Sequence, residues 1–288
     1  MTRQPVIAKH AEELLGSAVV ATAPLAGGDT SAATKLRLSD GSTAIMKTHA
    51  HPPPDFFAAE AHGLRWLGEA RAAGGVHVPE VLGVDEGCLI LRWIEPGKAS
   101  TDAATAFGVA LSLTHAAGAT TFGAEADGFI SKLPLPNTPC ETWAEFYAVR
   151  RVLPYLKLAR DRGAVGEAES VLVERVIGKL TALLPEEPPA RLHGDLWNGN
   201  VLWGQESRVW LIDPAAYGGH RELDLAMLAL FGLPHLPRVL EAYQDSAPLA
   251  DGWEERIPLH QLFPLLVHAA LFGGGYGTRA AEAAARYA

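Results

Sequence analysis

Hydrophobic and polar positions change their spacing near Ile94, and this change divides the chain into two parts. Up to that residue, short apolar runs typical of strands alternate with one helix-like segment. Beyond it, most segments have helical periodicity and are separated by Gly and Pro. The pattern predicts an α+β fold of two lobes: a small lobe over residues 1–94, with an antiparallel sheet and one helix, and a larger, mainly helical lobe over residues 95–288.

Four segments of the small lobe have the composition of strands: residues 19–23, 33–38, 43–47 and 88–94. Asp40 and Gly41 lie between the second and the third, where they supply the turn of a β-hairpin. These segments predict the antiparallel sheet. Glu95, Pro96 and Gly97 follow the last strand, and we expect them to end it and to connect the two lobes.

One carboxylate lies on the apolar face of the predicted helix that starts near Asp55. The apolar members of that face are Phe56, Phe57, Leu64 and Leu67. Glu60 lies among them, and because an unpaired buried charge is costly, we expect a cation opposite it. Lys47, at the end of the preceding strand, is the candidate. A solvated Lys47 with Glu60 at the edge of the helix is the alternative.

The segment His193-Gly194-Asp195-Leu196-Trp197-Asn198-Gly199-Asn200 has the spacing of the phosphotransferase pattern H-R-D-L-x-x-x-N. In that pattern the Asp accepts a proton from the substrate hydroxyl, and the Asn and a later Asp hold Mg²⁺. Asp195 is therefore the candidate base, and Asn200 and Asp213 are the candidate metal ligands. Residues 201–203 and 209–212 predict a hairpin that ends at Asp213. The alternative is that both motifs are ordinary turns.

Two further segments of the small lobe are candidates for nucleotide contacts. Gly27, Gly28, Thr30 and Ser31 lie between two predicted strands, where backbone N–H groups and hydroxyls are able to cradle phosphates. They do not match G-x-G-x-x-G, and a glycine pair is usually just a turn. The main chain of residues 91–94, which include Leu91 and Trp93, is the candidate adenine contact.

Composition limits the class of protein. The net charge of −9 and the pI near 5.6 argue against nucleic acid as a partner. Residues 259–272 form the longest apolar stretch, and polar residues and Pro264 interrupt it, so we expect no membrane span. Cys88 and Cys140 have no metal-ligand spacing, and we expect a reducing, cytoplasmic compartment. A monomer or weak homodimer is expected.

The catalytic segment and residues 213–227 together resemble the fructosamine kinase (ketosamine-3-kinase) family. Further stretches that resemble the family lie at residues 27–28, 78–82, 122–123, 136–138, 143–147 and 261–273. The resemblance thus covers nearly the whole chain. Two positions depart from the family pattern: Gly218 replaces an aromatic residue, and Ala270-Leu271 replaces Asn-His.

The resemblance implies a protein-kinase-like fold and the use of ATP and Mg²⁺ to phosphorylate the sugar 3-hydroxyl of ketosamines, either free or protein-bound. Such products release the amine, which implies a role in deglycation. The resemblance adds Trp197, His220 and Asp224 as candidate substrate contacts. Plain packing is the alternative for Trp197, and helix capping or a structural hydrogen bond is the alternative for Asp224.

Two other functions are compatible with the same motifs. One is a kinase of the same fold that acts on an aminoglycoside, choline or an amino alcohol. The other is a nucleotide-binding or scaffold protein that has lost catalysis. The joint presence of Lys47, Glu60, Asp195, Asn200 and Asp213 argues against the second.

Overall fold

The computed structural model describes residues 3–26 and 31–288, and its first part is a five-stranded antiparallel sheet. The order of strands in the sheet is β1-β2-β3-β5-β4. The strands are β1 (Val19–Leu25), β2 (Ala32–Leu38), β3 (Thr43–Thr48), β4 (Val81–Val84) and β5 (Cys88–Arg92). β4 is an addition to the four predicted strands, since its four residues include Gly83, which weakens a strand signal.

The hairpin between β2 and β3 turns at Asp40 and Gly41, as predicted. The N–H of Leu38 donates to the carbonyl of Ser42 (2.9 Å), and Asp40 Oδ1 accepts the N–H of Ser42 (2.8 Å). Gly41 has φ +87°, a value that side chains other than that of glycine rarely adopt. The turn fixes the register that pairs Ala33 with Lys47.

Two helices cover the sheet, α1 (Arg3–Leu15) and α2 (Phe56–Glu69), whereas the sequence predicted only α2. α1 is rich in charged residues, and its few apolar positions, such as Ile7, Ala11 and Leu14, pack on the buried residues of one sheet face. α2 packs Phe57, Ala61 and Leu64 against Leu89 and Leu91 of β5. The sheet is therefore the middle layer of this lobe.

The second lobe is mainly helical. Its helices are α3 (Thr101–Ala116), α4 (Trp143–Phe146), α5 (Leu153–Asp161), α6 (Glu167–Ile177), α7 (Leu180–Leu183), α8 (Glu222–Phe231), α9 (Leu236–Ser246), α10 (Trp253–His260), α11 (Leu262–Phe272) and α12 (Tyr276–Ala285). A π-helical segment, Tyr147–Val152, joins α4 to α5. The mainly helical character predicted for this lobe is thus confirmed.

Three short antiparallel pairs of strands lie between these helices. They are β6 (Gly128–Ile130) with β7 (Leu133–Leu135), β8 (Ala190–Leu192) with β11 (Tyr217–Gly219), and β9 (Val201–Trp203) with β10 (Val209–Leu211). The last pair is the hairpin predicted between the two metal-ligand candidates. Asn200 directly precedes β9, and Asp213 follows β10 by two residues.

The segment that connects the lobes is fixed to the second lobe. Gly97 donates its N–H to the carbonyl of Trp203 (2.7 Å), and Pro96 forms a bridge with Gly204. A Cβ at position 97 would lie 2.0 Å from the carbonyl oxygen of Gly204, so only glycine allows this approach. The boundary between residues 94 and 95 stays a prediction.

Two predictions from composition concern membrane-spanning helices and the cysteines. Within residues 3–26 and 31–288, no helix is both long enough and apolar enough to cross a membrane. Cys88 and Cys140 are both free thiols, as their spacing in the sequence suggested.

Candidate functional site

The catalytic segment forms a tight loop between β8 and β9, where the two lobes meet. Gly194 has φ +80°, and a Cβ there would lie 2.1 Å from the carbonyl oxygen of Ala215. The N–H of Ala215 in turn donates to the carbonyl of His193 (2.9 Å). Glycine is therefore required at position 194, because the chain that follows Asp213 crosses directly over it.

His193 holds the loop from within. Its Nε2 donates to the carbonyl of Ile212 (2.9 Å), and its Nδ1 accepts the N–H of Asp195 (3.3 Å). Burial lowers the pKa of His193, so the ring is neutral, which agrees with one nitrogen donating and the other accepting. Its role in the loop is structural.

Asp195 lies at the centre of the loop and is suited to accept a proton near neutral pH. Asn200 Nδ2 donates to the backbone oxygen of Asp195 (2.8 Å) and to its carboxylate Oδ2 (3.1 Å). Burial raises the pKa of Asp195 to about 7, with further contributions from the charges of Asp213 and Asp224, although the bond from Asn200 opposes the shift. A base with a pKa close to the working pH is effective in proton transfer.

Lys47, Glu60 and Asp213 form one ion-pair network that joins the two lobes. Lys47 Nζ lies 2.7 Å and 2.6 Å from the two oxygens of Glu60 and 3.0 Å from Asp213 Oδ1. Burial pulls the pKa of Lys47 down, but the charges of Glu60 and Asp213 more than reverse this, and the pKa ends above its ordinary value. The predicted pair of Lys47 and Glu60 is therefore present in the structure.

Asp213 and Asn200 have the oxygen atoms that a Mg²⁺ site requires. Asn200 uses its amide nitrogen on Asp195, which leaves its amide oxygen for a cation. Asp213 gives one carboxylate oxygen to Lys47, and its side chain is 45% exposed. Its backbone has φ 54°, a left-handed conformation that is uncommon outside glycine and concentrated at functional sites. This donor set fits Mg²⁺.

The structure describes only some of the residues predicted to contact the nucleotide in the first lobe. Gly27, Gly28 and Thr30 lie outside the described residues, and Ser31 is a half-buried residue just before β2. Leu91 is 2% exposed and pairs with Ile45 on one side and Val81 on the other, so its main chain belongs to the interior of the sheet.

The predicted adenine contact at Leu91 and Trp93 is therefore wrong in detail. The N–H of Trp93 donates to the carbonyl of Thr43 (3.1 Å) and is not free for a ligand. Its indole ring lies under the ammonium of Lys35, 4.0 Å from the ring centroid. Within the predicted segment 91–94, the main chain of Ile94 stays a candidate, because β5 ends at Arg92.

Trp197 is an exposed aromatic ring beside the candidate base. It is 39% exposed, and its edge packs on Phe231 at 5.9 Å between ring centroids. The ring lies directly over Gly199, where a Cβ would come within 2.3 Å of it. Phe231 in turn packs on His268 (4.8 Å), which packs on the exposed Phe272 (5.5 Å). An aromatic wall thus extends from the catalytic loop to α11.

Asp224 lies in the interior, which contradicts its predicted contact with substrate. Its side chain is 0% exposed. Its two oxygens accept the N–H groups of His193 (2.8 Å) and Gly194 (3.0 Å), and Oδ2 also lies 3.2 Å from His115 Nε2. The structural hydrogen bond, the alternative reading of the sequence, is what the structure shows. Asp224 anchors the catalytic loop to α8.

Asp224 is also linked to residues of α3 and α9 that were not predicted from the sequence. His115 of α3 accepts the hydroxyl of Tyr243 at Nδ1 (2.8 Å), which leaves Nε2–H to donate to Asp224. Burial raises the pKa of Asp224, but the hydrogen bonds from His115 and from the backbone N–H of His193 outweigh it and keep the pKa below its ordinary value. The position of His115 among apolar residues of α3 was the only signal in the sequence.

His220 is also buried, so its predicted substrate contact is wrong. It stacks on His260 (5.2 Å between ring centroids) in a closed cluster with Glu222 and Glu187. Burial lowers the pKa of His220 to about 3 and that of His260 well below its ordinary value, so both rings are neutral. The His220 ring accepts the N–H of Glu222 at Nδ1 (3.3 Å).

The proton positions in this cluster argue against a metal ion. Trp143 Nε1 donates to His260 Nε2 (3.3 Å), so the proton of neutral His260 is on Nδ1, just as that of His220 is on Nε2. These two N–H groups point towards Glu222 and Glu187, at 3.5 Å and 3.7 Å. A nitrogen that carries a proton does not bind a metal ion, so the cluster has the character of a structural network.

Sequence comparison identifies the family. The profile of the fructosamine kinase family matches residues 3–287. The chain belongs to the fructosamine kinase family. Among its relatives is a protein from Thermus thermophilus, assigned as a ketoamine kinase, which is 37% identical over 257 residues that cover 88% of each chain. The resemblance inferred from the motifs is confirmed.

Two further relatives are a bacterial protein of known structure and a plant protein. A crystal structure from Thermobifida fusca, assigned as a fructosamine-3-kinase, has 48% sequence identity and a TM-score of 0.93, and the match covers 98% of each chain. The chloroplastic protein-ribulosamine 3-kinase of Arabidopsis thaliana is 32% identical over 249 residues, which are 84% of this chain and 75% of that one.

More distant structures share the fold alone. A spectinomycin phosphotransferase solved with ADP and spectinomycin has 12% identity and a TM-score of 0.60 over 100% of this chain and 94% of that one. This similarity confirms the predicted protein-kinase-like fold.

Proposed function

We propose that this protein uses ATP and Mg²⁺ to phosphorylate a sugar hydroxyl, at the 3-position, of ketosamines such as ribulosamine or fructosamine. One observation carries the proposal: Asp195, with a pKa of about 7, lies beside Asn200 and in the same site as the network of Lys47, Glu60 and Asp213. This arrangement supplies a base, metal ligands and a phosphate anchor together. The names of the ketoamine and ribulosamine kinases among its relatives support the choice of acceptor.

On this proposal, each of the five site residues has a distinct role in phosphoryl transfer. Asp195 would take the proton of the acceptor hydroxyl while that oxygen bonds to the γ-phosphorus and the bond from the γ-phosphorus to the leaving ADP breaks. Lys47, held by Glu60, would bind the α- and β-phosphates. When bound to Asn200 and Asp213, Mg²⁺ would neutralise charge on the phosphates.

The aromatic wall of Trp197, Phe231, His268 and Phe272 supports an acceptor with an extended arm. A sugar ring or an amine-bearing chain is able to pack against exposed aromatic faces, and stacking of this kind contributes about 0.5–1.5 kcal/mol. The exposure of Phe272, 55%, leaves the far end of the wall open to a large acceptor. This feature favours a ketosamine attached to a lysine side chain over a compact alcohol such as choline.

The test is phosphorus NMR of reactions that contain ATP, Mg²⁺ and one glycated amine at a time. Ribulosamine and fructosamine adducts of acetyl-lysine, a glycated protein, an aminoglycoside and choline form the panel. We expect a new phosphomonoester from the ketosamine adducts, followed by release of the amine. Product from the aminoglycoside or choline alone would refute the ketosamine assignment while leaving the kinase assignment in place.

Two further predictions concern the location of the protein in the cell and its assembly. A cytoplasmic location follows from the use of ATP and from the two free cysteines. A monomer or weak homodimer stays the expected assembly. Fractionation of cells and sedimentation of the purified protein check these points.

A further inference from the structure

A pocket of about 520 Å³ opens behind α2, at the junction with the second lobe. Leu64 and Arg65 of α2 form one wall, the segment at residues 76–81 forms a second, and Trp210 of β10 forms the floor. None of the five residues of the phosphotransfer site lines it. The volume lies within the range of about 300–1,000 Å³ that is common for sites of small organic ligands.

The rim of the pocket is positively charged, although the whole chain has a net charge of −9. Arg65, Arg71 and Arg92 surround it, and Glu80 is the single carboxylate among the residues that line it. Arg92 is bound to Glu80 (2.9 Å and 3.1 Å). For Arg65 and Arg71, no ion pair is found in the described part of the chain. Two guanidinium groups are therefore available to a ligand.

His77 also lines the pocket, close to positive charges that affect its pKa. Its ring packs on that of Trp210, with 4.8 Å between ring centroids. Burial and the charges of Arg71 and Arg208 lower its pKa. A neutral imidazole next to two arginines offers hydrogen bonds to a ligand without adding a charge of its own. The apolar side chains of Leu64 and Val81, together with the Trp210 ring, complete the walls.

The pocket touches both elements that carry the phosphotransfer site. Leu64 follows Glu60 by one turn of α2, which is about 6 Å along the helix axis. Trp210 precedes Asp213 by three residues, and the N–H of Leu211 donates to the carbonyl of His77 (2.9 Å). A ligand that packs between α2 and β10 therefore acts on the two supports of the network of Lys47, Glu60 and Asp213.

We propose that this pocket is a regulatory site for a small organic anion with an aromatic or apolar body, which binds through Arg65 and Arg71. Its anionic group would be held by charge-assisted hydrogen bonds from the two guanidinium groups, and its apolar body would pack on Trp210 and Leu64. Occupancy changes the spacing of α2 and β10, and with it the position of Glu60 relative to Asp213. The result is a changed affinity for ATP.

Titration calorimetry with 1-naphthyl phosphate tests the binding site. The protein is first saturated with Mg²⁺ and a non-hydrolysable ATP analogue, so that the probe has no access to the nucleotide site. We expect 1-naphthyl phosphate to bind, and 1-naphthol and inorganic phosphate to bind much more weakly, since each has only half of the required chemistry. Absence of binding by 1-naphthyl phosphate at millimolar concentration overturns the proposal.

Paired variants assign the binding to these arginines. The double variant Arg65→Gln/Arg71→Gln should weaken binding about tenfold or more, because each lost guanidinium removes charge-assisted hydrogen bonds. Arg175→Gln/Arg286→Gln removes two exposed charges from the second lobe and should leave the affinity unchanged. Equal affinity in wild-type protein and Arg65→Gln/Arg71→Gln overturns the assignment.

The regulatory part of the proposal has its own readout. Saturating 1-naphthyl phosphate should change KM for ATP by about twofold or more in the wild-type enzyme. The same addition should have no effect on Arg65→Gln/Arg71→Gln, whose KM for ATP without the probe should match that of the wild type. An unchanged KM for ATP in wild-type enzyme with the probe bound overturns the coupling.

Discussion

Replacement of Asp224 by Asn tests whether this buried carboxylate sets the geometry of the catalytic loop. The carboxylate accepts N–H groups from His193 (2.8 Å), Gly194 (3.0 Å) and His115 (3.2 Å). Asn keeps the size of the side chain but replaces one accepting oxygen by an NH₂ group. That group must face a donor, whichever way the amide turns, because all three partners donate.

The expected cost follows from this count of bonds. Loss of one bond to a charged acceptor costs about 1.5–3 kcal/mol, and a buried donor left without an acceptor costs about 1–3 kcal/mol more. We therefore expect Asp224→Asn to lower the free energy of unfolding by about 3–5 kcal/mol, a large part of the 5–15 kcal/mol typical of a folded domain. Displacement of the loop by about 1 Å should lower kcat by about 10²-fold.

Urea unfolding followed by tryptophan fluorescence measures the stability, and steady-state kinetics at low temperature measure kcat and KM for ATP. KM for ATP should stay near the wild-type value, because Lys47 and Glu60 are untouched. Glu222→Gln is the matched control: Glu222 is a buried carboxylate on the same helix, but it binds Arg256 (2.9 Å and 2.5 Å) and makes no bond to the loop.

The two variants together decide the question. The control should lose stability and keep kcat within about threefold of the wild type, since the loop geometry is intact. Wild-type kcat in folded Asp224→Asn would refute the reasoning. An equal loss of kcat in Glu222→Gln would show that general destabilisation, and not loop geometry, is responsible.

The remaining predictions concern pH and the acceptor side of the site. The pKa of Asp195 of about 7 predicts that kcat/KM rises with pH and levels off above that value, and a flat pH–rate profile across neutrality would exclude Asp195 as the base. Gly199→Ala would place a methyl group 2.3 Å from the Trp197 ring and displace it, so KM for the ketosamine should rise about 2- to 10-fold while KM for ATP stays constant. His220 and His260 are neutral in the folded protein, but below pH about 6.5 they take up protons in the unfolded chain. The free energy of unfolding should therefore decrease as the pH is lowered below about 6.5, by up to about 1.4 kcal/mol per pH unit for each ring. Urea midpoints measured between neutral and acidic pH should show a shallower fall in His220→Gln, and an unchanged slope would contradict this assignment.

The sequence was sufficient to predict which candidate residues lie close together where their positions depend on local spacing. Asp195, Asn200 and Asp213 are set by one loop and one hairpin, so their separation along the chain nearly determines their separation in space. Lys47 and Glu60 were found because a carboxylate on an apolar helix face needs a cation. In each case a short-range rule was sufficient.

The roles of His220 and Asp224 could not be inferred in the same way. Both follow the metal ligand closely in the sequence, which placed them near the site, but whether they face the cleft or the interior depends on α3, α9 and α10. The partner of Asp224 on α3, His115, is 109 residues away in the sequence. Only the packed structure shows that both side chains are buried, His220 just before α8 and Asp224 on it, and that Trp197 is exposed.

The charge balance of the site accounts for the need for a divalent cation. One ammonium, that of Lys47, binds the carboxylates of Glu60 and Asp213, and Asp195 adds a third carboxylate close to Asp213. A triphosphate brings several more negative charges into the same space, and Lys47 alone is not able to compensate for them because two of these carboxylates already bind it. On the proposed function, a cation held by Asp213 and Asn200 would restore the balance. It would also draw charge from Asp213 and so allow Lys47 to turn towards the phosphates. On the same proposal, the ion pair of Lys47 and Asp213 would be the resting state of the site, and the binding of Mg²⁺ and nucleotide would replace it.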